Sequence, residues 1–111
     1  MRDWLESRLA HARQQGPDDF LLVVMHWGMN SSGPHGENRA LRAVGLQAMF
    51  RRYGVDLVVA GHDHIYERGE ENGLRYLVTG GSGAPIYRHE RQNRYTQVFL
   101  AQHHYVRVDV E

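Results

Sequence analysis

Gly61-His62-Asp63-His64, set directly after the apolar run Val55–Ala60, concentrates the chain's chemical potential in four residues. The run reads as a buried strand, and Gly61 lets the backbone turn at its end without a side chain in the way. If the chain stays extended through the motif, His62 and His64 point to one side and Asp63 to the other. Two imidazoles on one side, roughly 7 Å apart at Cα, can each hold one of two neighbouring metal ions. Two-metal hydrolases keep their ions about 3.5–4 Å apart, a spacing that suits such a pair. His26 ends the other strongly apolar run, Phe20–Met25. Sites in open α/β sheets gather where strands finish, so three histidines brought to one rim by neighbouring parallel strands would make a metal half-site.

Composition narrows the chemistry. The chain has 111 residues, enough for one small domain with a single core. Thirteen basic residues, all arginine, balance thirteen acidic ones, so no basic field points to nucleic acid. Cysteine is absent, which removes disulfides and thiolate sites and leaves imidazole, carboxylate, amide and water as donors for Zn, Mn or Fe. No signal-peptide core opens the chain, and no apolar stretch is long enough to span a bilayer, so no membrane partner is expected. The compartment is left open.

The elements that must position the histidines follow from periodicity. Trp4, Leu5, Leu9 and Ala12 recur at helical spacing, and Gly16-Pro17-Asp18-Asp19 ends that helix. Phe20–Met25 reads as a strand buried on both faces. Met29–Glu37 is a loop, and Asn38 caps a second helix with inner residues Leu41, Val44, Ala48 and Met49, closed by Gly54. Ile65–Arg68 and Leu74–Thr79 form a hairpin around a five-residue loop, Gly69–Gly73. Gly80–Pro85 is a close-packed turn, and Tyr87–Thr96 is a polar, mobile surface loop. His104, Val106, Val108 and Val110 alternate with polar neighbours, the mark of a half-buried last strand. The first half is expected to be parallel and helix-covered, the second antiparallel.

In order along the chain, these segments resemble the C-terminal half of a calcineurin-like metallophosphoesterase of the purple acid phosphatase-like branch. The resemblance is carried by Val24-Met25-His26, Ser31-Ser32-Gly33-Pro34-His35-Gly36, Leu41–Val58, Gly61-His62-Asp63-His64-Ile65-Tyr66-Glu67-Arg68 and Tyr76–Pro85. It implies an α/β fold: half of an α/β/β/α sandwich, with a mixed sheet and two helices. It also implies a phosphoric ester hydrolase with two metal ions (Fe, Mn or Zn) and attack by a metal-activated hydroxide. Carried over position by position, His26 and His62 would bind one metal and His64 the other. His35, nine residues after His26, would sit outside the metal shell near the leaving group and hydrogen-bond phosphate or donate a proton.

The family's Asp-x-His, Gly-Asp and Gly-Asn-His do not occur here, and Trp27 stands where a second histidine often follows the ligand. Residues 1–111 are therefore expected to be a partial domain that holds at most one ion and is inactive alone. Its partners would be a phosphate ester and either the missing N-terminal half or a second copy packed over the exposed sheet. Two rival readings are an inactive metallophosphoesterase-like binding or assembly module, and a mononuclear zinc protein using His26, His62 and His64. His11, His89, His103, His104 and Arg68 read as structural or solvated residues.

Overall fold

Val23 and Val24 on one apolar run and Val58 and Val59 on the other suit a pleated surface, and the two runs pair side by side. In a computed structural model describing residues 1–111, β1 (Leu22–Met25) lies parallel to β2 (Leu57–Ala60), with Leu22 opposite Leu57 and Met25 opposite Ala60. β2 pairs parallel with β4 (Leu74–Thr79), which pairs antiparallel with β3 (Tyr66–Glu71), which pairs antiparallel with β5 (Thr96–Leu100). The sheet runs β1-β2-β4-β3-β5. It is mixed, as expected, with its parallel half carrying the histidines. No helix is long and apolar enough to cross a membrane.

Three helices accompany the sheet: α1 (Arg2–Gln15), α2 (Arg39–Ala43) and α3 (Leu46–Arg52). The expected single second helix is thus two. Asn38 caps α2 by accepting from the Leu41 amide at 3.1 Å, but Gly45 takes a left-handed φ of 76° and breaks the helix after one turn. The break leaves Val44 exposed and turns Leu46, Met49 and Phe50 inward. They pack with Leu9, Val23, Val55, Val58, Ile65, Leu74, Tyr76 and Val78 into one core. Trp4, expected to face inward, is 63% exposed, so α1 docks mainly through Leu9. Arg13 secures the helix by donating to the carbonyls of Tyr53 (2.6 Å) and Asp19 (2.7 Å).

The opposite sheet face corrects a second expectation. β1 is not buried on both sides: Val23 is covered, whereas Leu22 and Val24 are exposed, Val24 at 72%. β1 is an edge strand, and no helix covers its outer face. The hairpin is tighter than its glycines suggest. Asn72 and Gly73 alone make the turn, both at positive φ as a two-residue hairpin of this hand requires, so Gly69, Glu70 and Glu71 are strand. β5 forms at the end of the polar loop, and the alternating 104–110 segment is irregular, with Val108 and Val110 exposed. Residues 106–109 line a cleft with Leu57, Arg75 and Leu77 and pair with no strand.

Inward positions of β3 carry carboxylates instead of apolar side chains. Glu67 is fully buried, and Glu71 is 4% exposed. Burial by itself would raise the Glu71 pKa. Hydrogen bonds from Arg42 (2.8 and 2.9 Å) and Asn30 (2.7 Å), with the guanidinium charge, outweigh it and hold the carboxyl at about 2. A carboxyl depressed on folding stabilises the fold above its unfolded pKa, near 4.5, and loses that contribution as the pH falls toward 2. Urea unfolding from pH 6 to pH 2.5 should show this loss. Glu71→Gln should lower stability at pH 6 by about 2–3 kcal/mol and flatten the dependence between pH 4.5 and 2.5.

Candidate metal and phosphate site

The parallel β1–β2 pair delivers His26 and His62 to the same rim. The Gly61 amide donates to the His26 carbonyl at 3.0 Å, extending the pairing past the strand ends. The side chains then meet: His26 Nε2 lies 3.1 Å from His62 Nδ1. Two imidazole nitrogens held at about 2.0–2.1 Å by one ion are separated by about 3.0–3.4 Å in tetrahedral or octahedral geometry. The pair therefore fits one edge of a metal's coordination shell.

The chain does not stay extended through the motif. His62 adopts φ 67°, a left-handed conformation uncommon for a residue with a β-carbon, and this twist aims its ring at His26. Burial first, and then the nearby His35 and His26 rings, push the His62 pKa below its ordinary value, while Asp63 opposes them. The neutral ring, with a lone pair to offer, is the form a metal takes. His64 lines the same cleft as His26, His35 and His62. Its Nδ1 donates to the Pro85 carbonyl at 2.8 Å, leaving Nε2 as the lone-pair nitrogen, and its ring stacks on Tyr87 at 4.2 Å. No group of three His, Cys, Asp or Glu side chains is arranged around a single point.

His35 reaches this cleft from the Met29–Glu37 loop, its ring 3.8 Å from that of His62. Its Nδ1 hydrogen-bonds the buried carboxylate of Asp63, which also accepts from the Ser31 hydroxyl. That fixes the ring and leaves Nε2 free. Gly33 and Gly80 allow the close packing around Asp63. A β-carbon on Gly33 would lie 2.7 Å from the carboxylate, and one on Gly80 would collide with the Asp63 carbonyl. The glycine-rich 80–83 passage, expected to be a close-packed turn, is tightly packed only at Gly80 and Gly81; Ser82 is exposed and Gly83 borders open space.

Asp63 is the residue that sequence reasoning missed, read only as the side chain facing away from the histidines. Glu67 and Glu71 were missed with it. Glu67 accepts from the Ser32 amide at 2.7 Å and the Tyr76 hydroxyl at 3.0 Å, and burial followed by the Glu67 charge pushes the Tyr76 pKa well up. The signal available was the alternation of Glu67 and Glu71 with exposed neighbours along a strand. The bland readings hold elsewhere. His104 bonds Thr79 at 2.8 Å, His103 bonds the Ala84 carbonyl at 2.9 Å, and His11, His89 and Arg68 are exposed.

Known proteins share sequence and fold with this chain. A family profile described as calcineurin-like phosphoesterase matches residues 2–66. The chain is 34% identical over 92 residues to tartrate-resistant acid phosphatase type 5 of Rattus norvegicus, covering 80% of this chain and 27% of that protein. It is 37% identical over 87 residues to the Fe(3+)-Zn(2+) purple acid phosphatase 12 of Arabidopsis thaliana, covering 75% of this chain and 18% of that one. Among solved structures it superposes on GAP50, the anchor in the inner membrane complex of Plasmodium. The TM-score is 0.77 at 28% identity, over 87% of this chain and 30% of the other. The chain thus spans about a quarter or less of the length of these curated relatives.

Removing the Asp63 carboxylate tests how His35 is held. Asp63→Ala should lower stability by about 1–3 kcal/mol, because it strands the Ser31 hydroxyl and the His35 ring. In NMR spectra His35 should show averaged side-chain couplings while the Phe50 methylene and ring signals stay in place. A His35 ring that remains fixed in the variant would contradict this role for Asp63.

Proposed function

This chain is a member of the calcineurin-like phosphoesterase family, in its purple acid phosphatase-like branch, and on that premise we propose that it carries part of the metal site of a phosphoric ester hydrolase. The observation behind the proposal is the 3.1 Å approach of His26 Nε2 to His62 Nδ1 at the ends of adjacent parallel strands. His26 and His62 hold one ion, and His64 offers Nε2 to a second. Fe, Mn and Zn suit these imidazoles. When bound, such ions neutralise charge on the phosphoryl oxygens and acidify water. Residues 1–111 act as a partial domain whose remaining donors come from a segment or chain packed on the open sheet face.

His35 takes the leaving-group side. Asp63 holds its Nδ1, so Nε2 is the atom that hydrogen-bonds the phosphoester or hands a proton to the departing oxygen. Ser31 donates its hydroxyl to the same carboxylate and helps hold it in place. In the complete enzyme, His35→Ala should lower turnover most for esters with poor leaving groups and leave metal content unchanged. An equal loss for good and poor leaving groups would reduce His35 to a substrate-positioning residue.

A second reading keeps the fold and drops catalysis. The exposed face around Leu22 and Val24 favours it, as does the likeness to a protein described as an anchor. A single zinc on His26, His62 and His64 is disfavoured, since no three donors surround one point. Zinc titration of the purified chain followed by calorimetry separates these readings. The partial-site reading expects weak binding of at most one equivalent, reduced about tenfold or more by His26→Ala or His62→Ala and unaffected by His35→Ala. Turnover of an aryl phosphate by the chain alone should be negligible. Two equivalents bound, with turnover like that of a complete enzyme, would overturn it, and an absence of zinc binding would favour the assembly module.

A further inference from the structure

We infer that the arginine-lined cleft beside His35 binds a phosphate group on the leaving-group side of the ester, so that the substrates are phosphoesters carrying a second phosphate. The inference rests on the phosphoester reading above and deepens it. A cleft of about 860 Å³ opens between the Met29–Glu37 loop and the Arg91–Tyr95 segment, large enough for a sugar bisphosphate. His35 lines this cleft and also the histidine cleft, so it stands on the boundary between them. A group leaving past His35, away from His26 and His62, enters it.

The lining chemistry selects the ligand. Arg39, Arg91 and Arg94 all face the cleft, and none of them has a carboxylate within 4.0 Å. The acidic residues of the lining are already engaged. Arg42 hydrogen-bonds Glu71 at 2.8 and 2.9 Å and is ion-paired with Glu37 at 2.6 Å, leaving one net negative charge among the three against three guanidinium charges without a carboxylate partner. Tyr95 is the only hydrophobic residue in the lining, which disfavours an aromatic leaving group. Planar guanidinium forks match phosphate oxygens in pairs.

The walls are also fixed before any ligand arrives. Arg91 donates to the Pro34 carbonyl at 2.9 Å, and the amides of Glu90 and Arg91 donate to the Ser32 carbonyl at 2.8 and 3.1 Å. Arg94 lies over the Tyr95 ring at 4.9 Å and bonds its hydroxyl at 2.7 Å. Two loops distant in sequence are therefore locked together with their cations on one side. Such preorganisation favours binding over a mere surface patch.

Binding to the metal-free chain tests the cleft separately from catalysis. Tripolyphosphate, measured by calorimetry, should bind at least about tenfold more tightly than orthophosphate. Arg39→Gln/Arg94→Gln, both exposed side chains, should weaken tripolyphosphate about tenfold or more while leaving the thermal midpoint unchanged. The charge-matched Arg8→Gln/Arg51→Gln, exposed on α1 and α3, should bind like the unmodified chain. Equal binding of the two anions, equal losses in both double variants, or no saturable binding would overturn the inference. Retained tripolyphosphate binding in an assembled protein that hydrolyses no ester would instead refute the hydrolase reading and leave the anion cleft standing.

Discussion

Three buried carboxylates hold this structure to one arrangement. Asp63, Glu67 and Glu71 recur every four residues, and each is engaged by a different one of three consecutive loop residues: Ser31, Ser32 and Asn30 respectively. A buried carboxylate without partners costs several kcal/mol, so the loop cannot lift away without exposing or stranding all three. The loop has no regular secondary structure, yet it is buried from Asn30 to Gly33. Its rigidity comes from these bonds, and the position of His35 follows from them. The β3 strand thus has a polar inner side because its role is to hold a loop as well as to fill a core.

The remaining architecture serves the same rim. Parallel pairing of β1 and β2 is what brings His26 and His62 together, since antiparallel strands would place their C-terminal ends at opposite edges. Gly45 and Gly54 shorten and close the connecting helices so that β2 returns beside β1. The left-handed backbone at His62 then makes the final adjustment, trading local strain for a 3.1 Å approach of two nitrogens. Residues with unfavourable conformations recur at sites because the surroundings hold them there.

Much of this was legible in the residues. The two apolar runs, the Asn38 cap, the Gly54 stop and the convergence of His26 with His62 all follow from local patterns whose physical causes act over a few residues. What escaped were features decided by distant partners. Trp4 satisfies helical spacing yet faces solvent, because only the Leu9 side of α1 meets the core. The Val106–Val110 alternation forms no strand: residues 106–109 line a cleft with Leu57, Arg75 and Leu77, and the segment joins neither edge of the sheet. Asp63 looked like the outward residue of an extended pair, and only the tertiary fold brings Ser31 and His35 to it. Glu67 and Glu71 break the expectation that inward strand positions are apolar, and the reason lies in a loop some 35–41 residues earlier.

The edge position of β1 has a consequence for whatever completes the sheet. One side of this strand is satisfied by β2, while its other row of peptide groups meets no strand. A complementing segment therefore has two separable tasks. An extended strand can continue the ladder past Leu22–Met25 through main-chain bonds that are indifferent to sequence. Covering Leu22 and Val24 requires apolar side chains presented at every second position, and that layer supplies selectivity. Backbone zippering and side-chain matching would thus discriminate differently: the first accepts almost any extended chain, and the second accepts only one in register.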